Sequence, residues 1–234
     1  MSLGERIDRT LVAQVAALDA RIAALAAQGA LPGLVETVPT FRSLTLIYDP
    51  LLTTRRELQQ ALAPALATAI DGTLASGRSW RLPVCYGGDF GPDLAATAAA
   101  AGLDEAAVIA LHHGRDYRVY MLGFLPGFPF IGDVAEPLRL PRRSEPRPRV
   151  APGSVAVAGG LTAVYPSASP GGWHLLGRCP VPLFDLASAQ PSLLQPGDRV
   201  RFTPVEAAEY ARLERALAGG ELPRERFAAA GDPA

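Results

Sequence analysis

The distribution of turn-forming residues constrains this chain more than any other feature. Residues 1–80 hold 5 Gly and 4 Pro, whereas residues 121–180 hold 9 Gly and 10 Pro. A helix cannot run far through a stretch broken that often, so the second region is restricted to short strands joined by turns. The first region is free to form longer elements. From Asp8 to Gln28, apolar residues recur at Leu11, Val15, Leu18, Ile22 and Leu25. Those steps of four and three place them on one helical face, with Gly29 where a cap belongs. Strands are expected at Leu34–Val38 and Phe41–Tyr48, the second ended by Asp49-Pro50. Thr53 or Thr54, with Glu57 in the first turn, predicts a capped helix to about Ile70.

With a strand at Trp80–Tyr86 the order is α-β-β-α-β, which lacks only a leading strand to make the βαββαβ ferredoxin-like pattern. The chain starts at Met1-Ser2-Leu3-Gly4 where that strand belongs, so either it reads as clipped there or Met1–Leu3 is a cloning remnant, and the sheet edge is expected to be short. Beyond it, short helices are predicted at Asp93–Ala101 and Asp104–His112. Strands follow at Tyr117–Phe124, Leu138–Leu140, Ser154–Ala158, Thr162–Tyr165, Trp173–Leu176 and Arg199–Thr203, then an amphipathic helix at Val205–Leu217. Regular short strands with turn signals predict a closed or nearly closed β-barrel. The fold class is therefore α+β, with a small ferredoxin-like N-terminal domain at residues 1–80 and a barrel domain at residues 81–234.

Composition excludes several chemistries. All 22 basic residues are Arg, and the chain has neither Lys nor Asn. A Walker A loop, Schiff-base catalysis and N-glycosylation are thereby excluded. A net charge of −1 gives no basic field for nucleic acid or an anionic membrane. Cys85 and Cys179 read as reduced, buried thiols, and no clustered Cys/His pattern suggests a metal site. The apolar stretch Leu11–Ala27 is interrupted by Gln14, Asp19 and Arg21, and no signal peptide is recognisable, so a cytoplasmic location is expected.

Three segments carry more Gly, Pro, aromatic and Arg than strand connectors need. In Tyr86–Leu94, Asp93 after Pro92 reads as a helix cap, and the alternative is a loop whose free amides meet an anion. In Gly123–Gly132, Pro126-Gly127 favours a type II turn with Phe128 and Phe130 beneath it, forming a shaped wall. The third runs from Arg142 to Arg178. Arg139–Arg149 holds five Arg and one Glu, held extended by Pro141, Pro146 and Pro148, and such guanidiniums suit capture of carboxylate or phosphate. Further on, Thr162, Tyr165, Ser169 and the turn Pro170-Gly171-Gly172 precede Trp173 and His174, which point to opposite faces of a strand. His112 and His113 read as helix-end histidines facing the dipole, which leaves His174 as the better acid-base candidate.

Together these blocks resemble the KipI/PxpB family, also called allophanate hydrolase subunit 1 or the B subunit of 5-oxoprolinase. The resemblance extends from about residue 34 to Leu183-Phe184-Asp185. It implies a ferredoxin-like domain followed by a cyclophilin-like β-barrel, and C and A subunits as partners. With them it implies an ATP-dependent 5-oxoprolinase, with Mg²⁺, in which ATP activates the lactam carbonyl and water opens the ring to glutamate. Within the family blocks, Arg149, Thr162, Ser169, Gly171, Gly172 and Arg178 are the expected substrate-binding positions. Tyr165 and His174 are expected to move protons. Relatives of this module also form half of a carboxyltransferase or inhibit a sensor histidine kinase. The family's Gln is Leu161 here, which removes a polar group next to the presumed site.

Overall fold

Asp8 starts the first helix as its cap: its carboxylate accepts from the amides of Thr10 at 2.7 Å and Leu11 at 3.3 Å. Helix α1 (Arg9–Ala27) then buries Val15, Leu18 and Ile22 of the expected stripe, with Val12 and Ala13, while Leu11 and Leu25 at its ends are half-buried. Val15, Leu18 and Ile22 form a core with Leu31, Leu44, Leu58 and Leu62. By length and a hydropathy of 1.5, α1 is apolar enough to cross a membrane; here its stripe is part of that core. Strands β1 (Leu34–Pro39) and β2 (Leu44–Tyr48) make an antiparallel pair. Helix α2 (Arg55–Ala67) opens with a reciprocal capping box. The Thr54 amide donates to Glu57 at 2.8 Å, and the Glu57 amide donates back to Thr54 Oγ1 at 3.3 Å.

The computed structural model describes residues 1–5, 8–67 and 77–229. The expected end of α2 near Ile70 lies outside them. Where the leading strand was expected, Met1–Leu3 form a stub along β2. Ser2 bridges Ser43, the Leu3 amide donates to the Arg42 carbonyl at 2.7 Å, and the Leu44 amide donates to that of Met1 at 2.9 Å.

The chain divides into two compact units, Met1–Ala75 and Ser76–Ala234. The strand read at Trp80–Tyr86 is not part of the first unit's sheet. As β3 (Ser79–Tyr86) it belongs to the barrel, so the boundary read at 80/81 falls inside a barrel strand. Its parallel partner β11 (Arg199–Pro204) lies more than a hundred residues away, where local periodicity cannot reveal it.

Helices α3 (Leu94–Ala101) and α4 (Glu105–His113) follow, and α5 (Ala207–Ala218) comes after the last strand. The other strands are β4 (Tyr117–Leu122), β5 (Pro129–Gly132), β6 (Arg147–Val150), β7 (Ser154–Ala158), β8 (Leu161–Val164), β9 (Ser169–Gly171) and β10 (His174–Arg178). Seven strands close the barrel in the order β10-β3-β11-β4-β5-β8-β7, while β6 and β9 pair as a separate two-stranded sheet. Strands β5, β6 and β9 each contain a Pro, and that masked them in the sequence. Leu138, read as strand, ends a 3₁₀ turn instead. Alternate residues fill the interior: Trp80, Leu82 and Val84 from β3, and Val200 and Phe202 from β11. The Trp80 indole donates to Asp198 Oδ2 at 2.8 Å, and that buried carboxylate also accepts from the amides of Arg78 and Gln195.

Candidate functional site

The Phe-rich segment and the Tyr165–Trp173 segment form the walls of one cavity of about 360 Å³. Leu125-Pro126-Gly127-Phe128 is the expected turn: the Phe128 amide donates to the Leu125 carbonyl at 3.0 Å, with Gly127 at φ +72°. That turn presents Phe124, Phe128 and Phe130, while Tyr165, Trp173 and the Pro170-Gly171-Gly172 backbone complete the lining with Arg142, Arg143 and Pro146. The rings meet edge to face, with Phe128 centred 5.1 Å from Tyr165 and 6.1 Å from Trp173. Phe124 is 65% exposed at the rim and held at φ +69°. A bulky residue there costs about 1–2 kcal/mol, a strain that concentrates at functional sites.

Tyr165 is almost wholly buried, and its hydroxyl has no hydrogen-bond partner among the described residues. Burial pushes its phenol above the ordinary value, and the charges of Arg142 and Arg147 act against that. It therefore remains a protonated donor at neutral pH. Gly171 is required beside it, because a Cβ there would lie 2.4 Å from the Tyr165 oxygen.

The arginine run is anchored by Asp93. This residue occupies the cap position of α3 but makes no side-chain capping bond. Its buried carboxylate takes both ends of the Arg147 guanidinium at 2.6 and 2.9 Å, Arg143 Nη1 at 3.1 Å, and the Leu175 amide at 2.8 Å. Burial pushes its carboxyl up, but those bonds and charges outweigh it and hold it below the ordinary value. Most amides of the preceding loop are also used internally. Those of Phe90 and Gly91 donate to Gly87, and those of Gly87 and Asp93 to Leu176 and Leu175. The capping reading of Asp93 is corrected: the segment docks on β10, and Asp93 clamps the arginine loop, while the amides of Gly88 and Asp89 make no bond among the described residues. With the loop fixed, Arg142 stands over Trp173 at 6.0 Å from the ring centre.

Of the residues expected from sequence, Tyr165, Gly171 and Gly172 line this cavity. Ser169 is buried just before Pro170, and its Oγ is without a partner among the described residues. The other expected residues lie elsewhere. His174 follows Trp173 directly and faces the opposite way, into a second cavity of about 450 Å³ with Pro141, Ser144 and Glu145, which shares Arg142 and Arg143 with the first. Its Nε2 donates to the Pro141 carbonyl at 2.8 Å. Arg149 is exposed: a bulge in β6 between Arg147 and Val150 shifts the strand's alternation. Arg178 lies over Phe90 at 5.7 Å. The expected Arg149, His174 and Arg178 group is therefore not assembled. Leu161, in the place of the family Gln, is buried beside the β7–β8 turn and does not line the cavity.

Thr162 lies in the barrel interior. Its hydroxyl donates to the Ala156 carbonyl at 3.0 Å, so it accepts from His112 Nε2, 2.9 Å away. His112 Nδ1 then accepts from Tyr86 Oη at 2.7 Å. The ring stacks on Phe202 at 4.6 Å. Burial, with the neighbouring charge of His113, pushes His112 down to about 3. It is a neutral core histidine, which corrects its reading as a charged helix-end group. Cys85 and Cys179 are free and buried, as read.

A family model for the carboxyltransferase domain, subdomain C and D, matches residues 1–194. The B subunit of 5-oxoprolinase from Bacillus subtilis (strain 168) is 39% identical over 193 residues, 76% of this chain and 79% of that protein. The solved structure of TTHA0988 superposes with a TM-score of 0.75 at 42% identity over 88% of this chain, which spans only 39% of that longer one. The urea amidolyase of K. lactis shares the fold, with a TM-score of 0.76 at 21% identity over 94% of this chain and 15% of that one.

Proposed function

This chain belongs to the KipI/PxpB family, and on that premise we propose that it is the B subunit of an ATP-dependent 5-oxoprolinase. The reaction converts 5-oxoproline, ATP and water to glutamate, ADP and phosphate. The chain acts in the cytoplasm with the A and C subunits and is inactive alone. The observation that carries this reading is the 39% identity to a B subunit of 5-oxoprolinase across three quarters or more of both chains. The cavity is consistent with it. Flat aromatic walls suit a five-membered lactam ring, and the Tyr165 hydroxyl is placed to donate to a ring carbonyl as negative charge grows on its oxygen.

ATP and Mg²⁺ are the cofactors of that reaction, but this chain's residues do not fit the metal. Among the described residues no group of three His, Cys, Asp or Glu side chains is placed to hold an ion. The charged groups lining the cavity are guanidiniums, whereas Mg²⁺ takes oxygen donors. The reading therefore assigns ATP with its Mg²⁺ to the other two components of the enzyme. It is tested by mixing the protein with the A and C subunits and measuring glutamate formed from 5-oxoproline and ATP, leaving out one component at a time. Activity that requires this chain is the expected result. A stable complex that forms no glutamate, or no complex at all, would overturn it.

A further inference from the structure

The geometry points to Arg142 as the residue that binds the carboxylate of a small lactam acid lying in the aromatic cavity. This rests on the lactam reading above and adds the group that selects the ligand by its carboxylate. The cavity is lined by two charged residues, both Arg, and by no acid. One of them is already committed, since Arg143 shares Asp93 with Arg147. Arg142 is exposed, and among the described residues it has no carboxylate partner. It is held at the mouth by contact with the Trp173 face and by the loop that Asp93 anchors. A guanidinium stacked on an aromatic ring keeps its N–H edge free, which suits in-plane recognition of a carboxylate.

Size and lining suit such a ligand. A cavity of about 360 Å³ has ample room for a single small ring, and its walls are mostly aromatic. Arg142 and Tyr165 line the same cavity, so both can address one molecule bound in it. A ring with a carbonyl donated to by Tyr165 and a carboxylate held by Arg142 satisfies both. Arg142 and Arg143 stand between the two cavities and line both; Glu145 and His174 line only the second, and no ion pair joins Glu145 to Arg142 among the described residues.

The test is a titration of the full chain with 5-oxoproline and with 2-pyrrolidone, the same ring without its carboxylate, followed by tryptophan fluorescence. Trp173 lines the cavity, whereas Trp80 is buried in the barrel and bonded to Asp198, so a ligand-dependent signal reports the site. The wild type is expected to prefer 5-oxoproline by about tenfold to a hundredfold, the contribution of a charge-assisted bidentate contact. Arg142→Gln removes that preference by weakening 5-oxoproline alone, and Tyr165→Phe weakens both ligands alike. The proposal is overturned if the preference survives in Arg142→Gln, if that variant weakens both ligands equally, or if neither ligand binds the chain or its complex with the A and C subunits. The two readings fail separately. Glutamate formation with an unchanged KM in Arg142→Gln defeats this assignment alone, whereas carboxylate-selective binding without glutamate formation defeats only the oxoprolinase reading.

Discussion

In the barrel interior, Tyr86, His112 and Thr162 hand a hydrogen bond along until it ends on the Ala156 carbonyl. In the cavity beside it, Tyr165 and Arg142 are surrounded by similar aromatic rings, yet neither has a side-chain hydrogen bond among the described residues. The chemistry of the two clusters is alike; what differs is whether their polar groups are spent. A satisfied buried network fixes one packing arrangement and leaves nothing to offer a ligand. The cavity keeps a protonated phenol, a guanidinium and a strained rim residue, which are groups that gain from binding. His112, a titratable ring among aromatic residues, is structural, as its satisfied partners show.

The largest effect is expected from His112→Ala, which removes a ring stacked on Phe202, strands the Tyr86 hydroxyl and leaves Thr162 only its bond to Ala156. It should cost about 3–5 kcal/mol in urea unfolding. The wild type also carries a pH signature. His112 is depressed to about 3 by burial, so the unfolded chain binds a proton that the folded chain refuses. Stability then falls by about 1.4 kcal/mol per pH unit as pH drops below about 6.5, and the variant lacks that slope. An unaltered slope would place His112 outside the core.

Asp93→Asn comes next. Arg143 and Arg147 would lose their shared carboxylate, for a cost of about 1–3 kcal/mol after allowing for their partial exposure. The Asp93 carboxyl is depressed, so its contribution is present above the unfolded carboxylate value near 4 and is lost as pH falls through the lower folded one. Wild type and variant should therefore converge in acid unfolding, and a gap that widens would contradict the clamp.

Tyr165→Phe should leave stability within about 0.5 kcal/mol, because its hydroxyl makes no internal bond among the described residues, while glutamate formation drops by about tenfold or more. The reverse pattern would move Tyr165 into the structural class. Arg149→Ala and Arg178→Ala, outside the cavity, should change turnover by less than about twofold.

Local signals were legible in the sequence, and long-range ones were not. The α1 stripe, the Thr54–Glu57 box and the Pro126-Gly127 turn depend on neighbours within a few residues, and each formed as read. Asp93 was misread because its ligands Arg143 and Arg147 lie about fifty residues on. The available clue was an arginine run with too few acids to balance it. Arg149 was expected from its place in the family blocks, and the bulge that leaves it exposed has no local signal in the sequence. At the start of β10 the alternation of Trp173 and His174 was visible, but reactivity favoured the histidine, whereas the cavity is on the tryptophan side.

That adjacency offers the most direct measurement: glutamate formation by the complete complex carrying either Trp173→Leu or His174→Gln, with unfolding monitored for both. These residues are neighbours in the chain and face different cavities. If the aromatic cavity is the site, the Trp173 variant loses most of its activity while still folded, and the His174 variant stays within about threefold of wild type. A folded Trp173 variant with full activity, beside an inactive His174 variant, would contradict it.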